Sequence, residues 1–379
     1  MQRGHAVLLR RLHRGGLHGV NGRDSRGALV ASLLAGSWRA ESSPPPQTDD
    51  EIAAVAPLLA DSGAAALAWW RLRGAGRGAS RVAEELRHAH RLNTLLCALQ
   101  QEGIAEAFAA LRRAGIEPVL LKGWSAARLY PDPGLRPAGD IDLFVRPEHR
   151  ARARARLDGA GLSHYDFDLK HTELDSLDER GRARVYSRTT LVDLSGIGVR
   201  VLGCEDQLSF LCAHLMRHGA RRPLWLCDVA LALETLPADF DWDRCLGDNR
   251  RPAALVTCAI KLAATLLGAR LDRVPQTVIN GALPRWLVPA VIESWGVSPF
   301  AARDSDVLSI SLRDPRRIPR AIRSRWADAV EASVRTHAPA NDLPRLPFQL
   351  IDFVAQGARF FRRALSRPAR SVDHQTPQA

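Results

Sequence analysis

The sequence predicts an α+β protein, a small mixed sheet with flanking helices embedded between N- and C-terminal helical regions. Three observations predict it. Between Asp50 and Gly115 apolar residues recur at helical spacing; Val82, Leu86, Leu92, Leu95, Leu96, Leu99, Phe108 and Leu111 form a stripe that must bury against something. From Ile116 to Leu202 the pattern breaks into short apolar or alternating runs punctuated by glycine and proline, as strands and turns require. After Glu205 helical spacing resumes and persists to about Ser366. The expected organisation is a disordered basic tail over 1–48, a helical region over 49–115, a core over 116–203, a second helical region over 204–366 and a disordered tail over 367–379.

Each element has a local reason. Residues 1–48 are rich in Arg, Gly, His and Ser and end in Ser-Ser-Pro-Pro-Pro; low hydrophobicity with high positive charge cannot offset the entropy of ordering. The apolar stretch Ala28–Ala35 superficially suggests a signal peptide, but it begins late, is short and has no convincing cleavage site. Ile116-Glu-Pro-Val-Leu-Leu121 follows a helix-ending glycine and reads as a buried strand, Gly123 ends it, and Ser125–Tyr130 reads as a helix. Pro131-Asp-Pro-Gly134 is a turn. Asp140-Ile-Asp-Leu-Phe-Val145 alternates, so Asp140, Asp142 and Phe144 share one face and Ile141, Leu143 and Val145 the other. Pro147 and Glu148 open an Arg-rich helix that ends near Gly159–Gly161. Further strands are expected around Arg184–Leu194 and Val199–Leu202.

Composition bounds the function. No run of about eighteen apolar residues occurs, so no bilayer-spanning helix is expected and the chain reads as cytoplasmic. The net charge is +12, carried almost entirely by arginine, with Lys122, Lys170 and Lys261 the only lysines. A basic surface attracts nucleic acid, yet no basic stripe interleaves with aromatics, and solvated arginines are the favoured reading. Six cysteines without a CxxC pair fit small buried thiols in a reducing compartment rather than disulfides or zinc.

The chemistry concentrates at Asp140 and Asp142. Carboxylates at i and i+2 on a strand project together, raise each other's pKa unless a cation neutralises them, and suit Mg²⁺ or Mn²⁺ as hard oxygen ligands. The preceding Leu120-Leu-Lys-Gly-Trp-Ser125 ends a strand in glycine, where backbone N–H groups can approach a triphosphate, Lys122 can balance its charge and Ser125 can add a hydroxyl. Asp193, in Leu191-Val-Asp-Leu194, is either a third functional carboxylate or a partner for an arginine or for the turn that follows. Arg136 either clamps a phosphate oxygen or pairs with Asp132. His214 and His218 stand four apart on one helical face, but His-Glu-x-x-His is absent, so they are expected to face the core near Asp228 rather than bind zinc. Trp69, Trp70, Trp225 and Trp242 read as packing residues.

The run from Leu121-Lys-Gly-Trp-Ser125 through Arg136 to Asp140-Ile-Asp-Leu-Phe-Val145 resembles the signature of an uncharacterised bacterial nucleotidyltransferase family within the DNA polymerase beta-like superfamily. The resemblance extends from about residue 51 to about Gly268 and includes Glu205-Asp-Gln-Leu208, His214, His218 and Arg222-Pro-Leu-Trp-Leu-Cys-Asp228. It implies that Gly123 and Ser125 hold nucleotide phosphates, that Asp140 and Asp142 bind metal, and that Asp193 supplies a third ligand or activates the acceptor. It further implies transfer of an NMP group from a nucleoside triphosphate to a hydroxyl of an acceptor whose identity the residues leave open: a small molecule, a peptide or a natural product. Three departures stand out: Trp124 after Gly123, a long interval from Gly123 to Asp140, and Ser195-Gly196 where relatives often carry His-Trp. The first and last motivate a rival reading, a nucleotide-binding regulator or scaffold without turnover.

Overall fold

The computed structural model describes residues 22–41, 43–169, 172–175, 177–247, 249–299 and 326–365. Five short strands form one mixed sheet: β1 (Val119–Leu120), β2 (Ile141–Phe144), β3 (Phe167–Asp168), β4 (Thr190–Leu194) and β5 (Ile197–Val201), in the order β3-β2-β1-β5-β4. β1 pairs antiparallel with β2 and parallel with β5; β2 pairs parallel with β3. β4 and β5 form a hairpin closed by Ser195 and Gly196, both at positive φ, the backbone that a tight two-residue hairpin turn demands.

The alternation expected for β2 holds. Ile141, Leu143 and Val145 join a core with Ile104, Phe108 and Leu111 of the long helix, whereas Phe144 lies in a separate cluster with Leu121, Val185 and Phe210. One sheet face is therefore covered by the C-terminal half of α4 (Arg81–Arg113) and by α6 (Arg150–Gly159). The other carries the carboxylate side of β2 and meets α8 (Glu179–Ser187) and α9 (Cys204–Arg217). The short α5 (Trp124–Ala127) follows β1, and α7 (Thr172–Asp175) follows β3.

The largest core is all-helical. It joins α1 (Gly22–Leu34), α2 (Asp49–Ser62), α3 (Ala65–Gly74) and the start of α4 to α9, α10 (Pro223–Glu234), α12 (Arg250–Leu267) and α14 (Leu287–Trp295). Thr48 and Glu51 close a reciprocal capping box on α2, and Gly63 ends that helix in the left-handed conformation. Two small helices, α11 (Trp242–Leu246) and α13 (Gln276–Ile279), flank α12, and α15 (Ala329–Arg335) and α16 (Leu346–Leu365) follow. No described helix is long and apolar enough to cross a membrane.

Several expectations are corrected. Residues 22–41 are not a disordered tail: Val30, Leu33, Leu34 and Trp38 of this segment are buried in the main core. A Cβ on Gly27 would collide with the Ile292 carbonyl, so glycine permits α1 to cross α14 at close range. Apolar burial in one helix–helix contact here outweighs the polar, basic character of the sequence around it. Residues 1–21 and 366–379 lie outside the described residues. Arg184–Ser187 belongs to a helix, with the strand starting only at Thr190, and β3 was not anticipated. The middle of the long helix faces the other way from the leucine stripe: Leu92, Leu95, Leu96 and Leu99 are exposed, and polar residues turn inward. The expectation of buried thiols fits five of the six free cysteines; Cys204 is exposed.

Candidate active site

The segment between α5 and β2 is held in place by polar side chains from α4, a set that sequence reasoning missed. Cys97 Sγ donates to the Pro133 carbonyl, and Asn93 Nδ2 to that of Gly134 at 3.1 Å. Gln100 Nε2 donates to Gly139 at 2.9 Å. His90 Nε2 lies 2.8 Å from Asp132 Oδ1, which also accepts from the Gly134 N–H. His90, Asn93, Cys97 and Gln100 fall at i, i+3, i+7 and i+10, one face of a helix. That spacing opposite a Pro-Asp-Pro-Gly turn was the available signal.

The same segment is anchored from the opposite side by α10. Arg136 is buried and forms a forked pair with Asp228, Nε to Oδ1 at 3.0 Å and Nη2 to Oδ2 at 3.0 Å. The Tyr130 hydroxyl donates to the same carboxylate at 2.9 Å. Arg136 is thus not paired with Asp132, and its guanidinium is committed to Asp228 rather than presented to a phosphate. Burial and the Asp228 charge push the Tyr130 phenol well above its usual range.

These anchors deliver Asp140 and Asp142. Asp142 pairs in register with Asp168 of β3, and in-register residues on neighbouring strands point to the same face about 4.8 Å apart. The carboxylates of Asp140, Asp142 and Asp168 each offer an oxygen within 4.8 Å of the others. Asp142 is buried, Asp168 half-buried and Asp140 the most exposed of the three, its side chain 44% accessible. Lys122, just beyond β1, places Nζ 3.0 Å from Asp142 Oδ1 and 3.6 Å from Asp140 Oδ2. Burial, with the charges of Asp140 and Asp168, lifts the Asp142 carboxyl to about 7 against the opposing pull of Lys122. The donor set fits a hard divalent cation: clustered carboxylate oxygens on a rigid strand pair, open to solvent on the Asp140 side.

Asp193 is not brought to this cluster. It lies on β4, three strands from β2 or roughly 14 Å across the sheet. It is exposed, and its carboxylate accepts from the Gly196 N–H at 3.2 Å. Its role is the hairpin turn, and Asp168 stands where a third carboxylate was expected. The Ser195-Gly196 departure belongs to that same turn, on the far edge of the sheet.

Gly123 adopts φ +65° and ψ −117°, a conformation closed to residues with a Cβ. A Cβ there would have room, so glycine is required by the backbone angle alone. Ser125 is fully buried; Gln207 of α9 donates to its carbonyl at 3.1 Å, and its hydroxyl has no hydrogen-bond partner among the described residues. His214, one turn beyond Phe210 on α9, is buried as well, and burial plus the charge of Lys122 depress its imidazole to about 2. His214 faces the core beside Trp225 of α10, whereas His218, with its ring centroid 4.6 Å away, is exposed rather than turned to the core.

The comparisons agree with the geometry. Neither the curated proteins nor the solved structures yield a match. Residues 48–268, more than half of the chain, match a family described as uncharacterised nucleotidyltransferase. With that span enclosing the sheet, its three clustered carboxylates and the α9–α10 helices behind them, the chain belongs to this family of nucleotidyltransferases.

Proposed function

We propose that the protein transfers an NMP group from a nucleoside triphosphate to a hydroxyl of an acceptor (a small molecule, peptide or natural product), in a reaction dependent on Mg²⁺ or Mn²⁺. The observation that carries this is the convergence of Asp140, Asp142 and Asp168, with Lys122 beside them, in a chain of a nucleotidyltransferase family. The acceptor oxygen bonds to the α-phosphorus, the bond from that phosphorus to the bridging oxygen breaks, and pyrophosphate leaves with the bond electrons. Asp140, Asp142 and Asp168 would hold the cation, which supplies neutralisation of the triphosphate and of the charge that grows in the transition state.

The chain's own groups do the rest. Lys122, tethered to the rigid end of β1, places a fixed positive charge where phosphate oxygens lie. Gly123 lets the backbone pass close to them, and the orphaned Ser125 hydroxyl is a hydrogen-bonding atom that a phosphate oxygen could satisfy. Asp140, the most exposed member of the cluster, is the carboxylate best placed to take the acceptor proton. The buried contacts from Arg136, Asn93 and Gln100 hold the Asp140 segment still, so that catalysis is positioning and charge stabilisation rather than covalent chemistry.

Calorimetric titration of nucleoside triphosphates with Mg²⁺ into the wild type and the Asp140→Ala/Asp142→Ala protein tests the site. Binding that needs metal and is lost in the variant supports the proposal, and pyrophosphate release then identifies the acceptor. A folded wild type that binds no triphosphate with either Mg²⁺ or Mn²⁺ refutes it.

A further inference from the structure

One face of α9 runs from the candidate phosphate site to a group of aromatic rings. Gln207 bonds the Ser125 carbonyl, Phe210 packs with Leu121 and Phe144, and His214 and His218 follow at the next two turns. The His214 ring stacks on Phe210 at 10° between planes and meets Trp225 of α10 at 4.6 Å. His218 meets Trp225 at 5.4 Å, and the Arg222 guanidinium lies 5.0 Å over the Trp225 ring. The group opens outward: His214 is buried, Trp225 half-buried and His218 exposed.

Packing alone leaves one feature unexplained. His214 Nε2 is buried with no hydrogen-bond partner among the described residues, a polar atom that water or a ligand would satisfy. The ring also lies within reach of the Lys122 charge, the cation that stands beside the carboxylate cluster, so the aromatic group and the candidate phosphate site are neighbours. Aromatic faces accept any nucleobase, since every base has a π-face.

Building on the proposed nucleotide reading, we infer that the His214–His218–Trp225 group is the nucleoside subsite of the same centre. The base packs against His218 and the exposed part of Trp225, and His214 Nε2 hydrogen-bonds the nucleoside. The triphosphate then lies toward Lys122 and Gly123, at the end of α9 where Gln207 meets Ser125.

The test separates base from phosphates. ATP, GTP, CTP and UTP, and inorganic tripolyphosphate, are each titrated with Mg²⁺ into the full chain carrying Trp225→Leu, Trp225→Phe or His218→Ala. The expected result is at least one nucleotide bound more tightly than tripolyphosphate by the wild type and weakened about tenfold by Trp225→Leu, with tripolyphosphate unchanged and Trp225→Phe close to wild type. His218→Ala, at an exposed position, should show the same selective loss even if Trp225→Leu does not fold. Nucleotide and tripolyphosphate weakening alike, or neither weakening in His218→Ala, overturns the inference and leaves the phosphate site standing. A wild type that binds tripolyphosphate as tightly as every nucleotide does the same. A wild type that binds none of these ligands removes the nucleotide site itself, and with it the inference.

Discussion

Arg136→Met removes one half of a buried ion pair, and the structure sets the size of the effect. Asp228 is buried and keeps only the Tyr130 hydroxyl of the partners described above once the guanidinium is gone. An uncompensated buried carboxylate costs about 3–5 kcal/mol, a large share of the roughly 5–15 kcal/mol that stabilises a typical fold. Arg136→Met/Asp228→Leu removes both charges, and buried pairs replaced by apolar groups are often neutral or stabilising. The double variant should therefore recover most of the loss, retaining about 1 kcal/mol for the stranded Tyr130 hydroxyl. Arg136→Lys should recover little, because a point charge cannot reproduce the fork. Urea unfolding of these three variants and of the single Asp228→Leu, followed by far-UV circular dichroism, gives the four free energies. A single variant that loses less than about 1 kcal/mol, or a double variant that loses the sum of the two singles, would refute the reasoning that the pair is a coupled buried anchor.

Other consequences are equally direct. Asp168→Asn should weaken Mn²⁺ binding at least about tenfold, the effect of losing one carboxylate from a small oxygen set, while Asp193→Asn leaves it unchanged; isothermal titration with Mn²⁺ reads both. Gly123→Ala forces a Cβ onto a positive-φ residue and should cost about 1–2 kcal/mol, visible as a lower urea midpoint. His214 is neutral in the fold down to about pH 2, whereas an unfolded histidine protonates near 6.5. The unfolded chain then binds more protons between those values, so stability falls as pH drops below about 6.5, by roughly 2 kcal/mol at pH 5. His214→Gln should flatten that part of the stability–pH curve, and an unchanged slope would rule out a buried neutral His214. A chain beginning at Thr48 lacks the buried Val30, Leu33, Leu34 and Trp38, each worth about 1.5–3 kcal/mol of burial. It should be insoluble or show a marked loss in thermal melting.

What the sequence revealed, and what it hid, follows from the range of each signal. The Asp140–Val145 alternation is strong because opposite faces of β2 meet two different apolar clusters, so every second residue is constrained. β3 is two residues long, too short to carry any period, and only its register beside β2 makes Asp168 matter. Asp193 drew attention through its apolar neighbours, yet Leu191 is exposed on an edge strand, where such flanks report strand propensity rather than burial. α4 misled in the opposite sense. Its leucines at 92, 95, 96 and 99 fit a buried stripe, but between His90 and Gln100 the inward face is set by the hydrogen bonds that the 131–140 segment requires. Where an irregular segment must be held by a helix, unsatisfied carbonyls decide which face turns in, and the helix leaves its apolar residues outside.

The same logic explains why the carboxylates can cluster at all. Three acidic groups with oxygens within 4.8 Å of one another repel, and Asp142 has lost nearly all its water. The fold tolerates this because β1 and β2 are antiparallel neighbours, so that Lys122, two residues past the short β1, arrives beside Asp142 with the opposite charge. Lys122 is then a counterion set by topology, and its removal should act in two directions. Lys122→Met leaves three carboxylates with less compensation, lowering stability without metal and raising the gain from added Mn²⁺, because a cation then relieves more repulsion. Triphosphate binding should weaken in the same variant, since the fixed charge on the phosphate side is gone. Thermal melting with and without Mn²⁺, beside nucleotide titration, reads the two effects separately. A Lys122→Met protein with wild-type stability and an undiminished affinity for triphosphate would show that the lysine is a bystander.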